Sequence, residues 1–94
     1  MGNTIEVYGK TVCAKCTSTK RKIENYLARH HAEGIEVVFK DIEMLDGLTD
    51  YSFIDSPPIP VVVFRRNGEE VARTEGEIPE TLKIRNALEA MLVE

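Results

Sequence analysis

Tryptophan is absent from this chain of 94 residues, and cysteine occurs only twice. Two cysteines cannot supply the several cross-links on which small secreted disulfide-rich domains depend. The hydrophobic content of 43% is that of an ordinary globular protein, so we expect a core that needs no cross-links. A chain of this length forms one domain, and we predict that this domain spans residues 1–94.

Long apolar stretches and a secretory leader pattern are also missing. The longest apolar run, residues 59–64, is far too short to cross a bilayer. Residues 1–8, MGNTIEVY, do not contain the basic segment followed by an apolar segment that defines a signal peptide. We therefore expect a cytoplasmic protein without a membrane partner. In that compartment cysteines are reduced, catalytic or metal-bound.

Acidic residues are missing between Val7 and Ile23, although the whole chain has a net charge of −4. The negative balance weighs against nucleic acid as a partner. The segment without acids contains five basic residues, Lys10, Lys15, Lys20, Arg21 and Lys22. Such a run is typical of a solvated helix face, but it would also favour a thiolate and attract anionic groups. The sequence leaves both interpretations open.

The apolar pattern predicts an α/β domain with the element order β-α-β-α-β-β-α. Strands are predicted over residues 4–8, 35–42, 61–65 and 69–74, and Asn67-Gly68 predicts a tight turn between the last two. Apolar residues at spacings of three and four predict a helix over residues 14–31. Pro79 is predicted to open a final helix, where its missing N–H is not needed.

Residues 43–55 are harder to assign. Gly47 weakens the prediction of a helix there, because glycine is a poor helix former. A short, irregular helix would be lined by five side chains, Met44, Leu45, Leu48, Tyr51 and Phe53. The first β-α-β unit implies parallel strands, whereas the final hairpin is antiparallel. We therefore predict a four-stranded mixed sheet flanked by about three helices.

Cys13 and Cys16 are separated by two residues and follow the first predicted strand and its turn. A cysteine at the start of a helix lies beside free N–H groups and the positive end of the helix dipole, which favour the thiolate. Lys10 and Lys15 add positive charge nearby. Cys16 lies one turn later, close enough to form a disulfide with Cys13. We expect Cys13 to attack a target disulfide and Cys16 to resolve the mixed disulfide.

Metal binding is the alternative use of such a cysteine pair. Zinc usually takes four ligands, and the only histidines are His30 and His31. At a rise of about 1.5 Å per residue they lie roughly 20 Å from the cysteines along the same helix. One chain therefore cannot complete the site, and we predict no metal site within a single chain. Two chains that share their cysteine pairs could hold zinc or an iron–sulfur cluster, which we keep as a second hypothesis.

The chain resembles the glutaredoxins of the thioredoxin superfamily over almost its whole length. The resemblance rests on the strand at residues 5–8 followed by Lys10 and Cys13-Ala14-Lys15-Cys16, on Ile59-Pro60 before the third predicted strand, and on Gly76 after the hairpin. It implies a thioredoxin fold and thiol–disulfide oxidoreductase activity. It further implies that Pro60 is cis and faces the cysteines, and that the backbone of Ile59 pairs with a bound peptide or glutathione. Gly76 would contact the far end of that ligand.

The chain departs from the glutaredoxin pattern where the ligand would bind. Ala14-Lys15 replaces the usual Pro-Tyr, Pro58 replaces the usual Thr, and Gly76 is followed by Glu77, which would repel a glutathione carboxylate if it pointed inward. The Gly-x-x-Pro step at residues 76–79 is similar to that of the glutaredoxin-like redoxins that supply ribonucleotide reductases with electrons from thioredoxin reductase.

These resemblances imply a monomeric electron carrier that reduces a disulfide-bearing protein. A ribonucleotide reductase is the candidate target, the electron donor is either thioredoxin reductase or glutathione, and no other cofactor is implied. The residues expected to bind the target or thiol ligand are Lys10, Ala14, Lys15, Ile59, Pro60, Gly76 and Glu77.

Overall fold

A computed structural model describes residues 2–92, in which four strands and three helices follow one another in the predicted order. The strands are β1 (Asn3–Gly9), β2 (Ile35–Asp41), β3 (Val61–Arg66) and β4 (Glu69–Glu75). The helices are α1 (Ala14–Arg29), α2 (Leu45–Phe53) and α3 (Thr81–Leu92). The predicted domain span also includes residues 1, 93 and 94, which lie outside the described part of the chain.

The strands form one mixed sheet in the order β2-β1-β3-β4. β1 runs parallel to β2, with Ile5 opposite Val37, and β3 runs antiparallel to both of its neighbours. The turn between β3 and β4 has positive φ angles of 51° at Asn67 and 88° at Gly68, as an Asn-Gly hairpin turn requires. The predicted mixed sheet is therefore confirmed.

Helices pack on both faces of the sheet, because side chains alternate between the faces along the two central strands. α1 and α3 cover one face and form the larger core with Ile5, Val7, Val62 and Phe64 of the sheet. The opposite face forms a smaller core from Tyr8, Ile54, Val61 and Val63, against which Tyr51 of α2 packs. Within residues 2–92, every helix falls short of the length and apolar character needed to span a bilayer.

The ends of two helices differ from the sequence prediction. α3 begins at Thr81, two residues after Pro79, and the N–H of Ile84 donates to the carbonyl of Glu80 at 3.1 Å. Glu80 thus occupies the position before the first helical residue, and the prediction that Pro79 opens the helix was wrong. α1 ends at Arg29 because the chain turns into a left-handed conformation at His31, where φ is 50°.

α2 contacts the sheet through fewer of its apolar side chains than the sequence pattern suggests. Leu45 and Phe53 are 78% and 80% exposed, and of the five predicted lining residues only Tyr51 joins the smaller core. The buried residue of this helix is Gly47, where a Cβ atom would overlap the carbonyl oxygen of Asp41. Glycine therefore allows α2 to approach the end of β2 closely. The same residue that weakened the sequence prediction is the one that the packing needs.

Candidate active site

Cys13 and Cys16 form a disulfide at the start of α1, with their Cα atoms 5.2 Å apart. β1 ends at Gly9, and the N–H of Cys13 donates to the carbonyl of Lys10 at 3.2 Å in the turn that follows. Cys13 has an extended backbone and is the N-cap residue. The first helical residue is Ala14, as predicted, so Cys13 immediately precedes the helix.

The two sulfur atoms have different surroundings. Cys16 is fully buried, whereas Cys13 is half-buried. The backbone N–H of Cys16 donates to Sγ of Cys13 at 3.2 Å, so the cap of the helix is the sulfur atom itself. After reduction of the disulfide, this N–H and the helix dipole favour negative charge at Cys13. Exposure and helix geometry thus both favour Cys13 as the attacking sulfur and Cys16 as the resolving sulfur.

Gly9 packs directly against the buried Cys16. A Cβ atom at Gly9 would lie 2.5 Å from Sγ and 2.6 Å from Cβ of Cys16, closer than atoms can approach without displacement. The sequence predicts only a strand and a turn before Cys13, and this packing role of Gly9 was missed. The available signal was a glycine at the junction between a strand and a C-x-x-C motif.

Pro60 and Gly76 meet at the end of the sheet from which the chain turns toward the disulfide. The last β1–β3 pair joins Tyr8 to Val61, so Pro60 lies just beyond the paired strands. The Ile59–Pro60 peptide bond is cis, as the resemblance implied, and Pro60 is buried. The N–H of Gly76 donates to the carbonyl of Pro60 at 2.9 Å. Two predicted binding residues from distant parts of the chain are thus in direct contact.

Lys15 and Glu77 form an ion pair, with Nζ 3.6 Å from Oε2. Lys15 lies between the two cysteines in the chain, and Glu77 directly follows Gly76. The side chains are 58% and 79% exposed, so the pair adds only about 0–1 kcal/mol to the free energy of unfolding. Its main consequence is electrostatic, because it holds a carboxylate against the first turn of α1.

The basic segment is consequently less positive in the structure than in the sequence. Glu77 offsets Lys15, and Glu24 offsets Lys20 at 2.9 Å. Ion pairs within residues 2–92 leave three basic residues of the segment without a partner, Lys10, Arg21 and Lys22. Lys10 and Ala14 are exposed and contribute no side-chain hydrogen bond to the described part of the site.

Two partly buried hydrogen bonds hold the loop that precedes Pro60. The hydroxyl of Tyr51 donates to the carbonyl of Pro57. Arg73 of β4 donates to the carbonyl of Ile54 at 2.9 Å. These contacts join α2, the loop and the edge strand, and they hold Ile59 half-buried against the smaller core.

The second hypothesis, a metal site, requires several metal-binding side chains that lie close together. Among residues 2–92, no three side chains of the types His, Cys, Asp and Glu lie close enough together to hold a metal ion. A shared metal would therefore require ligands from a second chain.

Solved structures relate this architecture to known proteins, whereas neither a protein-family profile nor a curated protein sequence matches the chain. Thioredoxin O2 from Arabidopsis thaliana in the oxidised state superposes with a TM-score of 0.76 at 12% identity, covering 98% of this chain and 76% of that one. The chain has the thioredoxin fold.

Two further thioredoxins have the same architecture. The germline-specific thioredoxin Deadhead from Drosophila melanogaster superposes with a TM-score of 0.70 at 21% identity, covering 98% of this chain and 82% of that one. Thioredoxin-2, a component of the malaria parasite protein secretion machinery, superposes with a TM-score of 0.72 at 12% identity, covering 94% and 82%. The predicted thioredoxin fold is confirmed, and the glutaredoxin-like subtype stays a prediction.

Proposed function

We propose that this thioredoxin-fold protein is a thiol–disulfide oxidoreductase that reduces protein disulfides through Cys13 and Cys16. The observation that carries the proposal is the asymmetry of the pair. Cys13 caps the helix and is partly exposed, whereas Cys16 is buried one turn later within disulfide distance. A fold by itself does not determine activity, so the proposal rests on this site.

The reaction transfers two electrons from the dithiol to the target. The Cys13 thiolate attacks one sulfur of the target disulfide, that S–S bond breaks, and the other target sulfur leaves as a thiolate and takes up a proton. Cys16 loses its proton and attacks Sγ of Cys13, which breaks the mixed disulfide and releases the second target thiol. The target has then gained two electrons and two protons, and the protein holds the Cys13–Cys16 disulfide. A donor must reduce that disulfide before the next turnover.

The target segment is proposed to bind beside Ile59 and Pro60. Pro60 has no N–H, so the sheet ladder stops there and leaves the backbone of Ile59 beyond the last strand pair. An extended segment can add to that backbone as a short strand. Gly76 borders this position through its hydrogen bond to Pro60. Gly76 has a φ angle of 79°, which residues with a side chain rarely adopt, and a Cβ atom there would only be in van der Waals contact with Cβ of Pro58 at 3.5 Å.

Turnover of insulin disulfides tests the activity. With dithiothreitol as reductant, the parent protein should accelerate the precipitation of the insulin B chain. Cys13→Ser should lower the catalysed rate to the background, because no attacking sulfur remains. Asn25→Ala, an exposed change on the same helix, should retain the parent rate. A Cys13→Ser protein as active as the parent would disprove the mechanism.

We further propose that the protein is a monomeric cytoplasmic electron carrier of the glutaredoxin-like type. A ribonucleotide reductase is the proposed target and thioredoxin reductase the proposed donor, with glutathione as the alternative. The support is the Gly-x-x-Pro step at residues 76–79 and Ala14-Lys15 between the cysteines. NADPH oxidation should follow when the oxidised protein meets thioredoxin reductase. Oxidation with glutathione and glutathione reductase alone would instead assign a glutathione-dependent carrier.

A further inference from the structure

The segment that carries Glu77 is held on both sides. On one side, the N–H of Gly76 donates to the carbonyl of Pro60 at 2.9 Å. On the other, Pro79 is buried two residues after Glu77. The backbone of Glu77 is therefore fixed next to the active site, and its carboxylate reaches Nζ of Lys15 at 3.6 Å.

Glu77 differs from the other acids of its segment because its carboxylate pairs with a residue of α1. Residues 75–80 contain three glutamates, Glu75, Glu77 and Glu80, and no basic residue. Glu75 already pairs with Arg73 of β4 at 3.2 Å, on the strand rather than on α1. Glu80 precedes α3 and is exposed, and no ion pair within residues 2–92 involves it. Glu77 is thus the acid whose charge faces the cysteine helix.

The position of this charge affects the substrates that can approach. Without Glu77, Lys10 in the turn before Cys13 and Lys15 in the first turn of α1 would both carry unopposed positive charge, a field that attracts anions. With Glu77 in place, the charge of Lys15 is offset, and a carboxylate lies against the residue that separates the two cysteines in the chain together with Ala14. A second carboxylate that approached Glu77 to about 4 Å would be disfavoured about fivefold even in water.

We propose that Glu77 is a specificity-determining residue, which disfavours anionic disulfides and favours disulfides flanked by neutral or cationic groups. The inference rests on the proposed function above, because it concerns the substrate of the same site. Glutathione disulfide, with its carboxylates, belongs to the disfavoured class. A peptide disulfide next to a lysine or arginine belongs to the favoured class.

Three small disulfides of similar size and different charge test the proposal. They are cystamine, which is cationic, 2-hydroxyethyl disulfide, which is neutral, and dithiodiglycolate, which is anionic. Each takes two electrons from the reduced protein and yields two thiols, while the protein forms its Cys13–Cys16 disulfide. Since the chain has no tryptophan to report the redox state, the reaction is stopped with acid and the remaining thiols are counted by alkylation and mass spectrometry.

The variants are chosen to separate charge at one position from net charge. Glu77→Gln removes the carboxylate, Lys15→Gln removes its partner, and Glu80→Gln removes an acid of the same segment that forms no ion pair with Lys15. All rates are compared with the parent for each disulfide. A general change in the reactivity of Cys13 therefore cancels in the ratio of the anionic to the cationic rate.

Glu77→Gln should raise the anionic-to-cationic rate ratio at least fivefold, and Lys15→Gln should lower it. Glu80→Gln should change it less than twofold, and 1 M salt should reduce the effect of Glu77→Gln, because salt screens exposed charges. An unchanged ratio in Glu77→Gln, or an equal change in Glu80→Gln, would overturn this inference. Neither outcome would contradict the proposed disulfide reductase function. A parent protein that reacts with none of the three disulfides would instead overturn the proposed function, and this inference with it.

Discussion

Gly9 packs directly against Cys16, so the last residue of β1 sets the position of the resolving cysteine. A Cβ atom at Gly9 would lie 2.6 Å from Cβ of Cys16, and Cys16 is fully buried. On the side of β1 there is no room for a further atom between Gly9 and the sulfur of Cys16. The absence of a side chain at Gly9 is therefore a condition for the geometry of the disulfide.

Gly9→Ala should slow the second chemical step more than the first. The added methyl group displaces Cys16, while Cys13 remains at the helix cap, so the mixed disulfide with a target peptide should persist at least tenfold longer. The lifetime is measured by acid quench and mass spectrometry. Gly2→Ala is the matched control, because a Cβ atom there meets no atom within 4 Å. Equal lifetimes in Gly9→Ala and the parent would contradict the assigned packing role.

Alkylation of the reduced protein should modify Cys13 first. Cys13 is half-buried at the helix cap and Cys16 is fully buried, so we expect iodoacetamide to label Cys13 at least tenfold faster. Peptide mass mapping after brief exposure measures the two rates. In guanidinium chloride the difference should disappear, because both thiols are then exposed. Equal labelling of the native protein would remove the structural basis for the assigned roles.

Tyr8 belongs to a hydrogen-bonded group on the α2 face of the sheet. Its hydroxyl donates to Oε1 of Glu6 at 2.9 Å, and Nε of Arg65 donates to the same oxygen at 2.9 Å. Burial raises the pKa of Tyr8 well above that of an exposed tyrosine, and the Glu6 carboxylate raises it further. The neutral phenol is therefore stabilised by folding.

The free energy of unfolding should fall at alkaline pH partly because of Tyr8. A pKa raised by folding gives a contribution that is complete below the unfolded value of about 10 and is lost as pH rises toward the folded value. In Tyr8→Phe this loss cannot occur, so the free energy of unfolding should decline less steeply above about pH 10. Urea unfolding at a series of pH values measures the slope. The same slope in parent and variant would show that Tyr8 does not titrate differently in the two states.

Arg73 should stabilise the loop that leads to Pro60. It donates to both carboxylate oxygens of Glu70, at 2.9 and 2.7 Å, and to the carbonyl of Ile54 at 2.9 Å. Replacement by methionine should lower the free energy of unfolding by about 1–2 kcal/mol, because the Ile54 carbonyl loses its donor. Arg85→Met is the control, since its pair with Glu89 at 3.9 Å is exposed, and it should have an effect below about 0.5 kcal/mol. Comparable losses in the two variants would contradict this prediction.

The contact between Arg73 and Glu70 should also make the free energy of unfolding depend on pH in the acid range. The hydrogen bonds from Arg73 hold the pKa of Glu70 below its usual range. A carboxylate with a pKa lowered by folding adds stability above its unfolded value of about 4.3, and this addition is lost as pH falls through the folded value. The difference in the free energy of unfolding between parent and Arg73→Met should thus shrink on acidification. A constant difference from neutral to acid pH would argue against the Glu70 contact.

Local sequence patterns were sufficient to predict the strand and the helix on either side of Cys13. The strand before Cys13 and the helix after it follow from short-range periodicity and from the helix-capping chemistry of the residues themselves. The cis bond at Pro60 was expected from the resemblance alone. For the strand and the helix, the signal lies within a few residues of the feature that it predicts.

Features that depend on distant contacts were not predictable in this way. Gly47 weakened the prediction of α2, yet it is required because the helix crosses the end of β2 at Asp41. Leu45 and Phe53 were expected to line this helix and are exposed, because an apolar pattern does not specify which side of a short helix will meet the sheet. The Lys15–Glu77 pair joins residues that are far apart in the chain and that only the tertiary fold brings together.

Capture of a target disulfide by the reduced Cys16→Ser variant tests the central claim most directly. This variant can attack but cannot resolve, so mixing it with insulin should give a stable 1:1 mixed disulfide whose mass and peptide map locate the bond at Cys13. The reduced Cys13→Ser variant, which keeps only the buried sulfur, should give no adduct in the same time. An adduct through Cys16 in Cys13→Ser at the same rate, or no adduct with Cys16→Ser, would contradict the assignment of Cys13 as the attacking residue.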